Sequence, residues 1–438
     1  MNWRKSIIYL LLNLSGSKVL KNLKEIEEVS SFSVEEKEKY QKDKLKNILL
    51  HAYNNVPYYK KILAQAAVVI NGEVYLENFS RIPVLTKDII RKEGINLYST
   101  DYKQRKPYEN TSGGSTGEPV KFIQDKEYDA WNIASKIFFF RKLGKDEGEK
   151  EIKLWGSDRD IIKGNLTPKD RFINFLYNRK FFNCYNFSDQ DMANLVKLHN
   201  TFKPCMYWAY VDGIFEFSKY VLKNKIQLFS PKFIVTTIGP LHEYNRKVIQ
   251  DAFGCKVYNQ YGSREMGIIS VENENKEMDI SFWRQIVELC GVNQEKSLVV
   301  TSLDNYSMPL IRYEIGDVAE KGTEQYSFGE TASFLTTKPV VGRTLGFFKK
   351  KDGGLKHTHF LVQQLFFKDW INKFQLIQKD YDLVEIKIVG TENKEEMKKV
   401  EDLIIGFLGE EFKIEWNFVD SIQTSISGKY LYTVSDLE

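Results

Sequence analysis

The stretch Thr111-Ser112-Gly113-Gly114-Ser115-Thr116-Gly117-Glu118-Pro119 has the residue types of a loop that holds an anion. Its glycines allow positive φ and a close approach of backbone to ligand. Hydroxyls and exposed backbone N–H groups can then cradle phosphate oxygens as an anion nest does. It is not a Walker A loop, because the lysine of G-x-x-x-x-G-K-[ST] is missing. A flexible Gly/Ser linker has a similar composition, although linkers rarely run straight into an apolar strand such as Val120-Lys121-Phe122-Ile123. On spacing alone the two readings remain open.

Other reactive side chains are dispersed. Cys184, Cys205, Cys255 and Cys290 form no C-x-x-C pair, which fits thiols in a reducing cytoplasm rather than a disulfide framework. His51, His199, His242, His357 and His359 make no H-E-x-x-H cluster. His357 and His359 would share a strand face but have no third ligand, so they read as structural or solvated. The formal charge is +4 over 438 residues, with Lys and Arg interspersed among Asp and Glu. The concentrated basic face of a nucleic-acid binder is absent, and no nucleic-acid partner is expected. A content of 42% hydrophobic and 14% aromatic residues supports a large core.

Ile7 to Leu14 (IIYLLLNL) follows Arg4 and Lys5. The run is too short for a transmembrane segment and continues into Lys18, Lys21 and Lys24 without a cleavage site. It reads as an amphipathic first helix packed on the body, with weak peripheral contact with a membrane surface as the alternative.

The elements that must position the loop follow from periodicity. Ser33 to about Ala66 is helical text broken at Val56-Pro57, and Thr86 before Lys87 and Asp88 reads as an N-cap. Strand-like runs at 152–156, 205–210, 232–239 and 255–262 alternate with helical ones. One of the latter, 242–254, closes at Gly254. That alternation indicates an α/β architecture with largely parallel pairing. After about residue 280 the text becomes β-rich. Beyond 344 it reads as a small α+β unit, with helices near 357–370 and 392–407 and strands at 373–377, 383–389 and 412–418.

Four further segments follow the loop in order. Tyr261-Gly262-Ser263-Arg264-Glu265, Arg312-Tyr313-Glu314-Ile315-Gly316-Asp317, Gly342-Arg343 and Ser427-Gly428-Lys429 resemble the Y-G-x-T-E, R-Y-x-T-G-D, hinge G-R and C-terminal G-K segments of the adenylate-forming superfamily. The loop itself resembles that superfamily's T-S-G-[ST]-T-G-x-P. Within it the text looks most like the phenylacetate–CoA ligase group, and within that group the branch associated with capsular polysaccharide synthesis. The residues that carry this are His51-Ala52-Tyr53-Asn54-Asn55-Val56-Pro57-Tyr58-Tyr59, Ile82-Pro83-Val84-Leu85-Thr86-Lys87, the YGSRE spelling and Phe374-Gln375-Leu376-Ile377-Gln378. The likeness covers nearly the whole chain.

The resemblance implies an α/β ligase fold. A large domain of mixed sheets flanked by helices (1–343) would bind ATP and carboxylate, and a small mobile α+β domain (344–438) would carry the catalytic lysine. Thr111 to Gly117 would hold the β- and γ-phosphates. Tyr261 and Gly262 would flank the adenine, with Gly239 and Pro240 opposite. Ser263 and Arg264 belong to the same nucleotide segment. Glu265 would bind Mg²⁺, a hard cation that suits a carboxylate. Asp317 would accept from the ribose hydroxyls, and Arg343 would contact ribose or phosphate. Lys429 would bridge carboxylate oxygen and α-phosphate as charge develops.

The implied reaction joins a carboxylate to AMP with release of pyrophosphate, then transfers the acyl group to a thiol or an amine. The sequence departs from the family in ways that bear on the acceptor. Arg264 stands where threonine is usual, and a guanidinium can grip an anionic substrate bidentately. Thr344-Leu345-Gly346 lacks the Asp-Asp pair of CoA-ligase hinges, so an amine acceptor stands beside CoA, and a sugar acid is one candidate carboxylate. The acyl pocket is expected among residues such as Trp208, Tyr210 and Asp212. A reductase would need a dinucleotide fingerprint, which is absent. A nucleotide-binding scaffold in polysaccharide assembly is the alternative, and retention of both Glu265 and Lys429 argues against it.

Overall fold

The computed structural model describes residues 2–112, 120–155, 167–184, 188–290, 296–340, 342–343, 347–349, 351, 355–358, 361–362, 365, 368–422 and 432–437. The chain divides into two compact units, Met1–Val341 and Gly342–Glu438.

The first unit opens with helices α1 (Trp3–Leu14), α2 (Val19–Ser30), α3 (Val34–Asn55) and α4 (Pro57–Gln65). The start of α3 is set by a capping box: Glu36 N donates to Ser33 Oγ (3.2 Å) and Ser33 N donates to Glu36 Oε2 (2.8 Å), which satisfies two otherwise orphaned donors. Its buried face carries Leu45, Ile48, Leu49 and Ala52 at helical spacing. Val56 takes an extended conformation before Pro57, which occupies the first turn of α4. Helix α5 (Lys87–Glu93) is capped by Thr86, as its sequence indicates.

Two short antiparallel strands, β1 (Tyr108–Thr111) and β2 (Lys121–Gln124), lead into α6 (Lys126–Lys142). Asp125 caps α6 by accepting from Glu127 N and Tyr128 N at 3.0 Å. There follow β3 (Glu151–Trp155), α7 (Pro168–Leu176), β4 (Arg179–Asn183), α8 (Asp189–Phe202), β5 (Met206–Tyr210), α9 (Val211–Lys223), β6 (Phe233–Thr237), α10 (Glu243–Phe253) and β7 (Lys256–Ser263). Strands β4, β3, β5, β6 and β7 pair in parallel in that order. Helices between successive parallel strands supply the crossovers such pairing needs.

The chain then turns back antiparallel through β8 (Gly267–Glu272) and β9 (Met278–Ile280), and β13 (Thr336–Thr337) closes the edge of an eight-stranded sheet. Between them, β10 (Gln285–Cys290), β11 (Lys296–Ser302) and β12 (Tyr313–Ala319) form an antiparallel meander. A large apolar core joins α2–α6 to β8 and the meander. A second core packs α8, α9 and α10 on β3, β5, β6 and β7.

The second unit is built on β14 (Ile371–Asp380) and β15 (Leu383–Gly390), paired antiparallel. Helix α11 (Lys394–Leu408) crosses back so that β16 (Lys413–Phe418) lies parallel to β15, and β17 (Thr433–Ser435) lies parallel to β14. Val400, Ile404 and Leu408, one turn apart on α11, face the sheet's apolar side. The helix expected from 357 starts later: Leu355–His357 is a strand paired with Phe347–Lys349, and Leu361, Val362 and Leu365 are helical.

Candidate active site

Ser112 and Val120, on either side of residues 113–119, are bonded to each other. Ser112 N donates to the carbonyl of Val120, and Val120 N donates back to Ser112 Oγ, both at 2.9 Å. Ser112 is buried and its hydroxyl oxygen accepts one of these bonds, while Thr111, half-buried, ends β1. Gly113, Gly114, Ser115, Thr116 and Gly117 lie outside the described residues, as does Lys429. Gly342–Arg343 is a two-residue strand, and the side chain of Arg343 also lies outside the described residues.

Glu265 sits at the turn between β7 and β8. Three side chains from elsewhere in the chain hold that turn by its backbone. Gln124 Nε2 donates to the carbonyls of Arg264 (2.8 Å) and Glu265 (3.2 Å). Tyr128 OH donates to the carbonyl of Glu265 (3.3 Å). Asn132 Oδ1 accepts from Ile268 N (3.0 Å) and from Arg284 (2.8 Å), whose guanidinium forms a fully buried ion pair with Asp304 at 2.7 Å. Ser263 Oγ accepts from Met266 N at 3.1 Å. Gly267 has φ +67°, and a Cβ there would fall 2.4 Å from Asn132 Oδ1. A Cβ on Gly262 would fall 2.2 Å from the carbonyl of Gly267. Both glycines are required by close approach within this turn.

The Glu265 carboxylate is buried, and its Oε1 accepts from Tyr313 OH at 3.1 Å. Arg264 beside it is exposed. No group of three His, Cys, Asp or Glu side chains that could hold a metal is present among the described residues. One carboxylate nonetheless fits Mg²⁺, which keeps waters and takes substrate phosphates as its other ligands.

Tyr261, on β7, donates a 2.6 Å hydrogen bond from its hydroxyl to Oδ2 of Asp317 on β12. Tyr313 and Asp317 share β12, so the same strand touches both Glu265 and Tyr261. Arg312, one residue before β12, is buried at φ +51° and has a structural task. It donates to the carbonyls of Ser80 (2.5 Å) and Ile82 (2.6 Å) and pairs with Glu288 at 3.1 Å. At the C-terminal end of β6, Ile238 takes φ +60°. A β-branched residue in that region is strained by about 1–3 kcal/mol. Exposed Gly239 and half-buried Pro240 follow it.

Trp208 and Tyr210 lie near the C-terminal end of β5. Trp155 on neighbouring β3 meets both rings, at centroid distances of 5.0 and 4.4 Å. Lys153 Nζ stands 3.9 Å from the Trp155 ring and 4.7 Å from that of Trp208, and Lys136 Nζ of α6 is 5.2 Å from Trp208. Trp208 Nε1–H is buried without an acceptor among the described residues. Burial, then the neighbouring Arg179 guanidinium, lowers the Lys136 ammonium to about 7. Asp212 falls in the first turn of α9. This end of parallel strands is where open α/β sheets bind ligands.

Sequence reasoning did not find Gln124, Tyr128, Asn132, Arg284, Lys136 or Lys153, and it named Tyr313 within the Arg312–Asp317 segment without giving it a role.

The CapK C-terminal domain family matches residues 350–436. Protein CapK of Staphylococcus aureus is 24% identical over 390 residues, 88% of this chain and 86% of that protein. Phenylacetate-coenzyme A ligase of Thermus thermophilus is 23% identical over 335 residues, 69% of each. Among solved structures, a 2-hydroxyisobutyryl-CoA ligase in the postadenylation state with 2-HIB-AMP superposes with a TM-score of 0.70 at 17% identity, covering 93% of this chain and 91% of that one. The chain is thus related to CapK and to phenylacetate-coenzyme A ligase, and its fold is that of the adenylate-forming ligases.

Proposed function

We propose that this chain is an AMP-forming ligase. It condenses a small carboxylate with MgATP to acyl-AMP and pyrophosphate, then transfers the acyl group to an amine or to CoA. The observation that carries the proposal is the junction of β7 with β12. There the Tyr261–Asp317 and Glu265–Tyr313 bonds bring together two segments that resemble the nucleotide-binding segments of the adenylate-forming superfamily.

In this reading Asp317 accepts from the ribose hydroxyls beside Tyr261, and Gly239 and Pro240 line the other side of the base. The loop from Thr111 to Gly117 takes the phosphates, and Glu265 holds the Mg²⁺ that accompanies them. Lys429 supplies a cation to the charge that grows between carboxylate and α-phosphate, a contribution of several kcal/mol when preorganised. Arg343 contacts ribose or phosphate.

The cluster of Trp155, Trp208 and Tyr210 with Lys136 and Lys153 supports a substrate that presents a ring to aromatic walls and carries negative charge beyond the reacting carboxylate. A sugar-nucleotide acid, with its sugar ring and its diphosphate charge, meets both requirements. It would also suit a setting in polysaccharide synthesis, with an amine as acceptor.

The test is pyrophosphate release from MgATP with pooled aryl acetates, fatty acids, amino acids, uronic acids and sugar-nucleotide acids, with and without CoA or amines. Lys429→Ala is run beside the natural chain. Release in one pool, lost in the variant, is expected. A variant that also fails to transfer from synthetic acyl-AMP would overturn the role given to Lys429.

A further inference from the structure

Helix α1 does not turn its apolar side wholly inward. Ile8 is buried and Leu12 packs against the core, yet Trp3, Ile7, Leu10, Leu11 and Leu14 are exposed, from 37% for Ile7 to 74% for Leu14. At 3.6 residues per turn Trp3, Ile7, Leu10 and Leu14 fall within about 60° of one another. They form one uncharged stripe along the outside of the helix.

The stripe continues onto α7. Trp3 and Phe175 lie 6.4 Å apart, the Arg4 guanidinium stands 4.5 Å from the first ring and 5.2 Å from the second, and Phe172 and Phe175 are both more than half exposed. Single exposed apolar residues are ordinary, but a contiguous patch marks an interaction surface.

The helix is not a loose end. Asn2 Nδ2 donates to the carbonyl of Glu147 (2.7 Å), Lys5 pairs with Asp146 (2.8 Å), and Tyr9 OH donates to Glu147 Oε2 (3.1 Å). These bonds pin the opposite side of α1 to the loop before β3, so the stripe is held outward.

Charge identifies the occupant. Of the five cations before the first acidic residue, Glu25, Lys5 pairs with Asp146 and Lys18 with Glu127 (2.5 Å), which leaves Arg4, Lys21 and Lys24 to meet an anionic surface, and α7 adds Lys169 and Arg171 against Asp170. An apolar stripe with tryptophan at one end and a basic border matches a lipid–water interface. At about 1.5 Å per residue, a helix this short lies in that plane and cannot cross it. No helix among the described residues is long and apolar enough to span a membrane.

We infer that the α1–α7 face docks this chain on an anionic lipid surface, with α1 lying in the headgroup plane and Trp3, Ile7, Leu10 and Leu14 inserted. The acyl chemistry is then carried out beside a membrane. The inference is independent of which carboxylate the enzyme uses.

The full chain is sedimented with phosphatidylcholine vesicles and with mixed phosphatidylcholine–phosphatidylglycerol vesicles, at low and high salt. Binding to the anionic vesicles is expected, weakened by salt and lowered at least about tenfold by Leu10→Glu/Leu14→Glu. Lys21→Glu/Lys24→Glu is expected to weaken it with the apolar stripe intact. Thermal melting confirms that both variants fold. Absence of binding, or binding that both variants retain, overturns the proposal. So does a dimer seen by light scattering that Leu10→Glu/Leu14→Glu dissociates while the natural chain ignores the vesicles, because the patch would then join two copies of this chain.

Discussion

The hydroxyl of Tyr261 and the carboxylate of Asp317 are 2.6 Å apart, though their strands belong to different sheets. The bond fixes the orientation of the Asp317 carboxylate. A carboxylate accepts hydrogen bonds and donates none, which suits it to a ribose diol.

Asp317→Ala is therefore expected to raise KM for ATP about 10–100-fold, the range set by losing a charged hydrogen bond worth roughly 1.5–3 kcal/mol. Tyr261→Phe keeps the carboxylate but frees its orientation, and the rise should be smaller. Initial rates of pyrophosphate release against ATP concentration measure both. Equal and negligible effects would remove Asp317 from the nucleotide site.

Gly267→Ala should destabilise the first unit by about 2–4 kcal/mol. Left-handed φ alone costs an alanine roughly 1–2 kcal/mol, and the new methyl displaces Asn132 from Ile268 and Arg284. Urea unfolding checks this. A change below about 0.5 kcal/mol would show that the turn relaxes freely.

Lys136 titrates at about 7, principally because it is buried and then because Arg179 is near. It is charged below that pH and neutral above it. KM for an anionic carboxylate should accordingly rise as pH increases through about 7, and Lys136→Met should flatten that profile. A KM profile that the variant leaves unchanged would take Lys136 out of the substrate site.

Folding stability should fall on acidification. Burial holds His51 and His199 below their ordinary value, although carbonyls of Tyr306 and Phe229 accept from their rings. The unfolded chain thus binds more protons than the folded one as pH drops below about 6.5, and stability declines through that window. Melting temperatures at pH 7.5 and 5.5 test the sign, and His199→Gln should reduce the difference.

Much of the architecture was legible because its signals are local. The break at Val56-Pro57, the Thr86 cap, the closure at Gly254 and the short apolar strands all occur where periodicity and turn chemistry put them. Residues that hold the Glu265 turn were not legible. Gln124, Tyr128 and Asn132 act on backbone groups more than 130 positions away, and no local pattern encodes such a partner. Periodicity revealed the apolar stripe of α1 but carries no information on which way a stripe faces. Lys136 and Lys153 gained meaning only when α6 and β3 brought both to Trp208.

The Arg312 clamp constrains how the chain is made. Its guanidinium holds the carbonyl of Ser80 across 232 residues of sequence, and Leu85 exchanges backbone bonds with Arg312 and Glu314. During translation at roughly 5–20 residues per second, the segment carrying Ser80 waits on the order of ten seconds to most of a minute for that partner. Throughout the wait, apolar side chains from α2 to α5 have left the ribosome without the meander that covers them. Slowing elongation before residue 312 lengthens that exposure and should increase aggregation even though the finished protein is unchanged.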